Sequence, residues 1–567
     1  MKFQDFVYVR PDVEATLVEL GKIIDTMEQA VSAEDQIAAF HASEDLMKEF
    51  NSQRAIASIR NDVDTRDAFY AGEQAFFDEN MPRVQNEMAH LARTLSESRF
   101  RKELTEALGE FTMEKIDYQV KGMSAEIIPL KQEENRLATR YFKLYSSAQI
   151  PFDGKTLTVE QMPPYKASAD RAVRRAAYAA EGAFFDSIGE ELDQIYDRLV
   201  HNRNEQARIL GYKDYTELAV IRMRRYGYGP KEVKAFRDQV QKDLVPLVTE
   251  IKKLQAKRIG VTDWKAYDNL TMFLDGNPTP KGTPQELIAA AQEMYHRLSP
   301  ETAEFFDFMV DNGLLEVESK PGKAPGGYCS SIEKYKAPFI FSNFNGGSGD
   351  VDVLTHEAGH AFEGYTAYRD PAFEGNSYLR RYSSETAECH SMSMEFLTAK
   401  FHELLLKEDT AKYEIAHAEN ALSFIPYACI IDAFQYSAFE NPDWTPEERH
   451  QEWKRLLEAF QPHLTDYEDI PFYSRYAGWQ YKLHVFMNPL YYIDYALAQI
   501  VAFQFWMLSL EDEDLAWKKY MQFIRSAGTR RFADTVKYVG LDSPFEEGTV
   551  KKVAEKVAAW IQENQLK

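Results

Sequence analysis

Cysteine is scarce in this chain: Cys329, Cys389 and Cys429 are the only three in 567 residues, and no C-x-x-C pair occurs. That argues against a disulfide framework and for a reducing compartment. No signal peptide is expected, since the first residues, MKFQDFVYVRP, show no basic segment followed by an apolar one. No stretch reads as a membrane span. The most apolar run, Tyr495–Leu510, is short for a span, carries Gln499 and Gln504, and reads as a buried core helix. Runs of Lys and Arg are missing, and 90 Asp and Glu outnumber 66 Lys and Arg for a net charge of -24. That balance favours solubility and argues against nucleic acid as a partner. A cytoplasmic protein with no membrane partner is expected.

Strand signals are few as well. In IPFDGKTLTV, Ile150–Val159, the pair Asp153-Gly154 separates two apolar runs and predicts a hairpin. APFIFSNF, Ala337–Phe344, is aromatic and β-branched and predicts a short strand. Pro and Gly clusters at Asp275–Pro284 and Lys320–Gly327 predict loops. Helical periodicity dominates the rest. Leu17, Leu20, Ile24 and Met27 recur at spacings of three and four, as do Leu244, Leu247, Ile251 and Leu254, and Val553, Val557 and Trp560. A mostly α protein is expected, with a small β-sheet beside one particular helix.

That helix carries VDVLTHEAGHAF, Val351–Phe362. His356 and His360 stand one helical turn apart and can aim two imidazoles at one ion, with Glu357 placed to reach a water there. This is the H-E-x-x-H pattern of zinc hydrolases. With 12 His in the chain, chance produces the pattern on the order of once in fifty such proteins. A solvated helix face fits the context less well, since Ala358, Gly359, Ala361 and Phe362 are small or apolar. Gly359 costs roughly 1 kcal/mol inside a helix, which makes sense if something approaches the backbone there. Catalytic zinc takes a third protein ligand. Downstream, in RRYSSETAECHSMSMEFLTAKF, Glu385, Glu388 and Glu395 are candidates, and His390 and Cys389 are further ones that leave the helix in other directions from Glu388.

HEAGHAFEGYTAY followed by ETAECHSMSMEF resembles the zinc metallopeptidases of the thimet oligopeptidase and oligoendopeptidase F family, the second branch more closely in length. NRNEQARILGYKDYTE and GNPTPKGT extend the likeness, which covers roughly residues 200–500. The resemblance implies that the third ligand is Glu388, the first Glu of E-x-x-S-x-x-x-E, with Ser391 and Glu395 completing the pattern. It implies one zinc ion per chain and two helical lobes enclosing a deep substrate channel. The expected division is an N-terminal helical region, 1–190, with the hairpin near 150–159, and a catalytic domain, 191–567. It also implies oxyanion donors within HVFMNPLYYIDYAL: His484, Tyr492 and Tyr495, with Tyr491 close behind. The strand at Phe339, Ile340 and Phe341 is expected to offer its edge to a peptide, and Gly326, Gly327 and Tyr328 to line the same channel.

The function expected is therefore hydrolysis of internal bonds in short unfolded peptides, with zinc-activated water and Glu357 as general base. Two rivals remain at this stage. One is a zinc amidase or deacylase acting on a non-peptide amide, and the other is a helical binding protein with a structural metal.

Overall fold

The computed structural model describes residues 1–565. Its first helices show how local chemistry sets the elements. Helix Val13–Glu28 starts where the Asp12 side chain accepts from the Ala15 N–H, and it buries Leu20, Ile23, Ile24 and Met27 on one face. Helix Ala33–Val63 starts at a capping box in which Ser32 and Asp35 exchange hydrogen bonds. With helices Ala68–Ser96 and Glu110–Lys121 they close two hydrophobic clusters of their own, one around Phe40, Leu91 and Ile116, the other around Leu20, Phe50 and Phe77. Most of the remaining chain shares one large core. The protein is thus mostly α and built as two lobes. A cavity of about 710 Å³ lies between them, walled by Met88 and Tyr118 on one side and by Arg222, Ser331 and Tyr368 on the other.

Position 190, the expected end of the N-terminal helical region, falls inside a helix. Helix Arg171–Ile209 runs 39 residues without a break through that point. Its buried stripe, Tyr178, Phe185, Leu192, Tyr196 and Leu199, is continuous, so both halves pack into the same core.

The hairpin forms as expected. Strands β1 (Ile150–Phe152) and β2 (Lys155–Leu157) pair antiparallel. Asp153 at φ 51° and Gly154 at φ 70° supply the two left-handed residues that a tight two-residue turn needs.

The second sheet has three strands: β3 (Leu315–Glu318), β4 (Tyr328–Ile332) and β5 (Ala337–Phe344). Their spatial order is β3-β5-β4, with β5 parallel to β3 and antiparallel to β4. This corrects the expectation for Phe339, Ile340 and Phe341. Their strand is central, both of its backbone edges are paired, and their side chains, 2%, 0% and 0% exposed, belong to the core. The outer strands, β3 and β4, each keep one unpaired edge, and β4 is the one that starts beside Glu357 at Gly327.

From β5 the chain turns through Asn345–Ser348 into the site helix, Gly349–Ala367. The turn is fastened by Asp350, whose carboxylate accepts from the N–H of Asn345 at 2.9 Å and of Gly346 at 2.8 Å. The glutamate helix, Ser384–Leu397, crosses the site helix closely. A Cβ on Gly359 would sit 2.6 Å from Ser391 Cα and 2.7 Å from the His390 carbonyl oxygen, so only glycine fits. Behind both lies the core helix, Ile493–Glu511, which contains the apolar run of the sequence. It is long and apolar enough to cross a membrane by length and composition, but 67% of its apolar window is buried inside the protein.

Candidate metal centre

Two turns of the site helix and one of the glutamate helix meet at a point. The ligand atoms of His356, His360 and Glu388 all lie within 4.8 Å of one another. Glu388 Oε2 is 3.1 Å from His356 Nε2 and 3.4 Å from His360 Nε2. Ligands about 2.1 Å from one tetrahedral ion stand roughly 3.4 Å apart, and both distances to Glu388 are close to that spacing. The donor set, two imidazoles and one carboxylate, leaves a coordination position for water.

Neighbours hold these groups in place. His356 Nδ1 lies 2.7 Å from Glu395 Oε1, and with its proton there it donates, leaving Nε2 free for a metal. His417, on helix Thr410–Glu440, reaches the other oxygen of Glu395 through Nε2 at 2.8 Å. Ser391 Oγ donates to Glu388 Oε2 at 3.1 Å. Tyr491 Oη donates to Glu388 Oε1. Burial raises the carboxyl pKa of Glu388, but the imidazoles of His360 and His356 outweigh it and hold the group well below the usual carboxylate range.

Glu357 sits one step round the site helix. It is buried, its Oε2 has no hydrogen-bond partner, and burial pushes its carboxyl above the ordinary value. An acid so placed binds a proton more readily than in water, which suits a group that takes and returns one.

The aromatic cluster sorts itself by distance. Tyr495 Oη is 3.4 Å from His484 Nε2, and its ring centre is 6.4 Å from that of His356. Burial raises its phenol pKa, and the charge of Glu388 raises it further, so Tyr495 keeps the proton a donor needs. Burial pushes His484 down to about 4, which leaves it a neutral imidazole near neutral pH. Tyr491 is occupied with Glu388. Tyr492 packs in the same cluster, its ring 5.1 Å from that of His484 and 5.4 Å from that of Tyr495, with Phe424 and Tyr427 on its other side and Lys482 Nζ about 6.0 Å away.

Among the residues named for substrate, Gly327 borders the site: a Cβ there would be 3.6 Å from Glu357 Oε1 and 3.0 Å from Val353 Cγ1. Gly326 precedes it in a left-handed conformation, φ 83°, with its carbonyl accepting from Asn343 Nδ2 at 2.9 Å. Tyr328 opens β4, stacks on Phe341 and donates to Asp62 Oδ2 at 2.9 Å.

The remaining acids separate. Glu385 is fully buried away from the histidines, beside Tyr228 and the Arg225–Asp494 pair, and burial raises it to about 7. His390 lies between the rings of Tyr382 and Phe523, and Cys389 faces the core helix. His417 had no signal in the sequence. It stands on a separate helix 22 positions beyond Glu395, and only the fold joins them.

Residues 164–555 match peptidase family M3, and residues 3–123 match the peptidase M3 N-terminal domain. The chain belongs to peptidase family M3. Solved structures agree over the full length of this family member. PZ peptidase A bound to an inhibitor is 40% identical, covers 99% of both chains and superposes with a TM-score of 0.97. A candidate oligoendopeptidase F is 41% identical over 99% of both chains, with a TM-score of 0.97. A second, from Bacillus anthracis str. Ames, is 39% identical over 99% of this chain and 98% of its own, with a TM-score of 0.92. A search of curated proteins finds no match. The protein is accordingly a peptidase, and a His-His-Glu cluster is its candidate metal site.

Proposed function

We propose that this peptidase is a zinc-dependent endopeptidase that hydrolyses internal bonds of short, unfolded peptides in the cytoplasm. The convergence of His356, His360 and Glu388, with the unbonded Glu357 Oε2 beside them, carries the reading. Two imidazole nitrogens, one carboxylate and an open position favour zinc over calcium or magnesium, which prefer all-oxygen shells. Three free cysteines, two of them buried, are consistent with a reducing compartment.

When bound, zinc supplies Lewis acidity, which acidifies water and polarises a carbonyl. Glu357 takes the proton of the attacking water and later gives it to the leaving amine. Tyr495 and His484 donate hydrogen bonds to the oxygen that becomes negative as the carbonyl carbon turns tetrahedral. Glu395, with His417 behind it, fixes the ring of His356. The open edge of β4 offers backbone hydrogen bonds to an extended peptide, which recognises main chain rather than one side chain.

Metal analysis of the purified protein tests this directly. About one zinc per chain is expected, with the metal lost in Glu388→Ala and kept in Glu385→Ala. The reverse pattern would refute the ligand set.

A further inference from the structure

The cavity between the lobes departs from the rest of the molecule in charge. The chain carries a net charge of -24, yet Glu333 is the one acid in the cavity wall, and Arg380 is paired with it. Lys131 and Arg222 share Glu134, and Arg381 reaches Glu44 at 3.4 Å. Two further guanidiniums, Arg54 and Arg224, line the same space, and among the described residues neither has a carboxylate within ion-pair distance. Both are open to the cavity, while the surrounding protein lowers the pKa of each through desolvation. Like charges gathered round one space repel one another, and an entering anion lowers that repulsion.

The cavity adjoins a second space that reaches a neighbour of the metal centre. A smaller space of about 360 Å³ shares Lys131, Arg222 and Arg224 with it and is walled by Tyr491, which holds Glu388. The open strand β4 leads the same way. Gly327 borders Glu357 at its start, and Ser331 lines the large cavity four residues on. At about 3.3 Å per residue that is roughly 13 Å of extended chain.

We propose that this cavity is a carboxylate-binding subsite for the peptide, with Arg54 and Arg224 taking an acidic group about four residues from the scissile bond. The group is a peptide carboxylate, from an Asp or Glu side chain or from a chain terminus. A guanidinium presents a planar fork of donors that matches a carboxylate. The inference rests on the peptidase reading and adds a preference within it.

The test uses fluorogenic peptides of one sequence around a fixed cleavage point. One is neutral with blocked ends. A second series moves a single Glu from two to five residues away on either side. A third places a free terminal carboxylate at the same distances. The wild-type protein should cleave at least one carboxylate peptide, with the acid near four residues out, about tenfold better in kcat/KM than the neutral one, mainly through KM, as for a charge-assisted hydrogen bond. The Arg54→Gln/Arg224→Gln double variant should lose that preference while cleaving the neutral peptide at the wild-type rate. Arg54→Lys/Arg224→Lys should keep part of it, which separates lost charge from lost fold. The Glu series and the terminal series show which carboxylate enters. Equal cleavage of acidic and neutral peptides by the wild type, or a preference retained in the double Gln variant, overturns the subsite. Failure of the wild type to cut any peptide is a different result and removes the peptidase reading beneath it.

Discussion

Glu357 and Tyr495 make opposite demands on a proton, and their surroundings answer both. Glu357 is a buried acid that must release and regain one, whereas Tyr495 must keep its own beside the negative charge of Glu388. Glu357→Gln should therefore retain metal and fold while losing on the order of a thousandfold or more in turnover, read by steady-state kinetics with metal content measured in parallel. Tyr495→Phe should lower kcat about a hundredfold at nearly constant KM, because the oxyanion exists only after water attacks. Tyr492→Phe should change neither, since the hydroxyls placed at His484 and Glu388 are those of Tyr495 and Tyr491. An active Tyr495→Phe and a crippled Tyr492→Phe would exchange the two roles. At this scale the proximity of His356 and His360 was legible because one helical turn encodes it, whereas Glu388 was singled out only through the family resemblance. The choice between Tyr492 and Tyr495 was not legible, because both lie in one aromatic stretch and only packing separates them.

At the scale of elements, the site depends on how closely the site helix meets the glutamate helix. Gly359→Ala places a methyl against backbone atoms of Ser391 and His390, which cannot rotate out of the way. It should cost about 1–3 kcal/mol by overpacking. It should also weaken metal binding, because the same crossing sets Glu388 against the histidines. Thermal unfolding and a zinc titration on one preparation check both, and a variant that binds zinc normally would contradict the link. Glu395→Gln removes the charged partner of His356 and should lower metal affinity about ten- to a hundredfold. The strand–loop–helix unit that carries the motif was readable in order from its aromatic strand, its glycines and its histidines. Strand order was not. Composition marks Phe339–Phe341 as a strand but says nothing of what pairs on either side, and β3 comes from a segment with no strong strand signal.

For the whole molecule, mostly helical lobes around an internal cavity were expected and are present. Position 190, where the sequence suggested a domain boundary, falls inside helix Arg171–Ile209, which serves one core on both sides of it. A reacting centre enclosed in this way should admit flexible peptides and reject folded chains, so a short quenched peptide should be cut where native albumin is left intact. The most direct measurement of the account is hydrolysis of such a peptide by protein stripped with a chelator and then titrated with zinc, its products identified by mass spectrometry. The account predicts that internal cleavage vanishes on chelation and returns at about one zinc per chain. Cleavage that survives complete removal of the metal would contradict it.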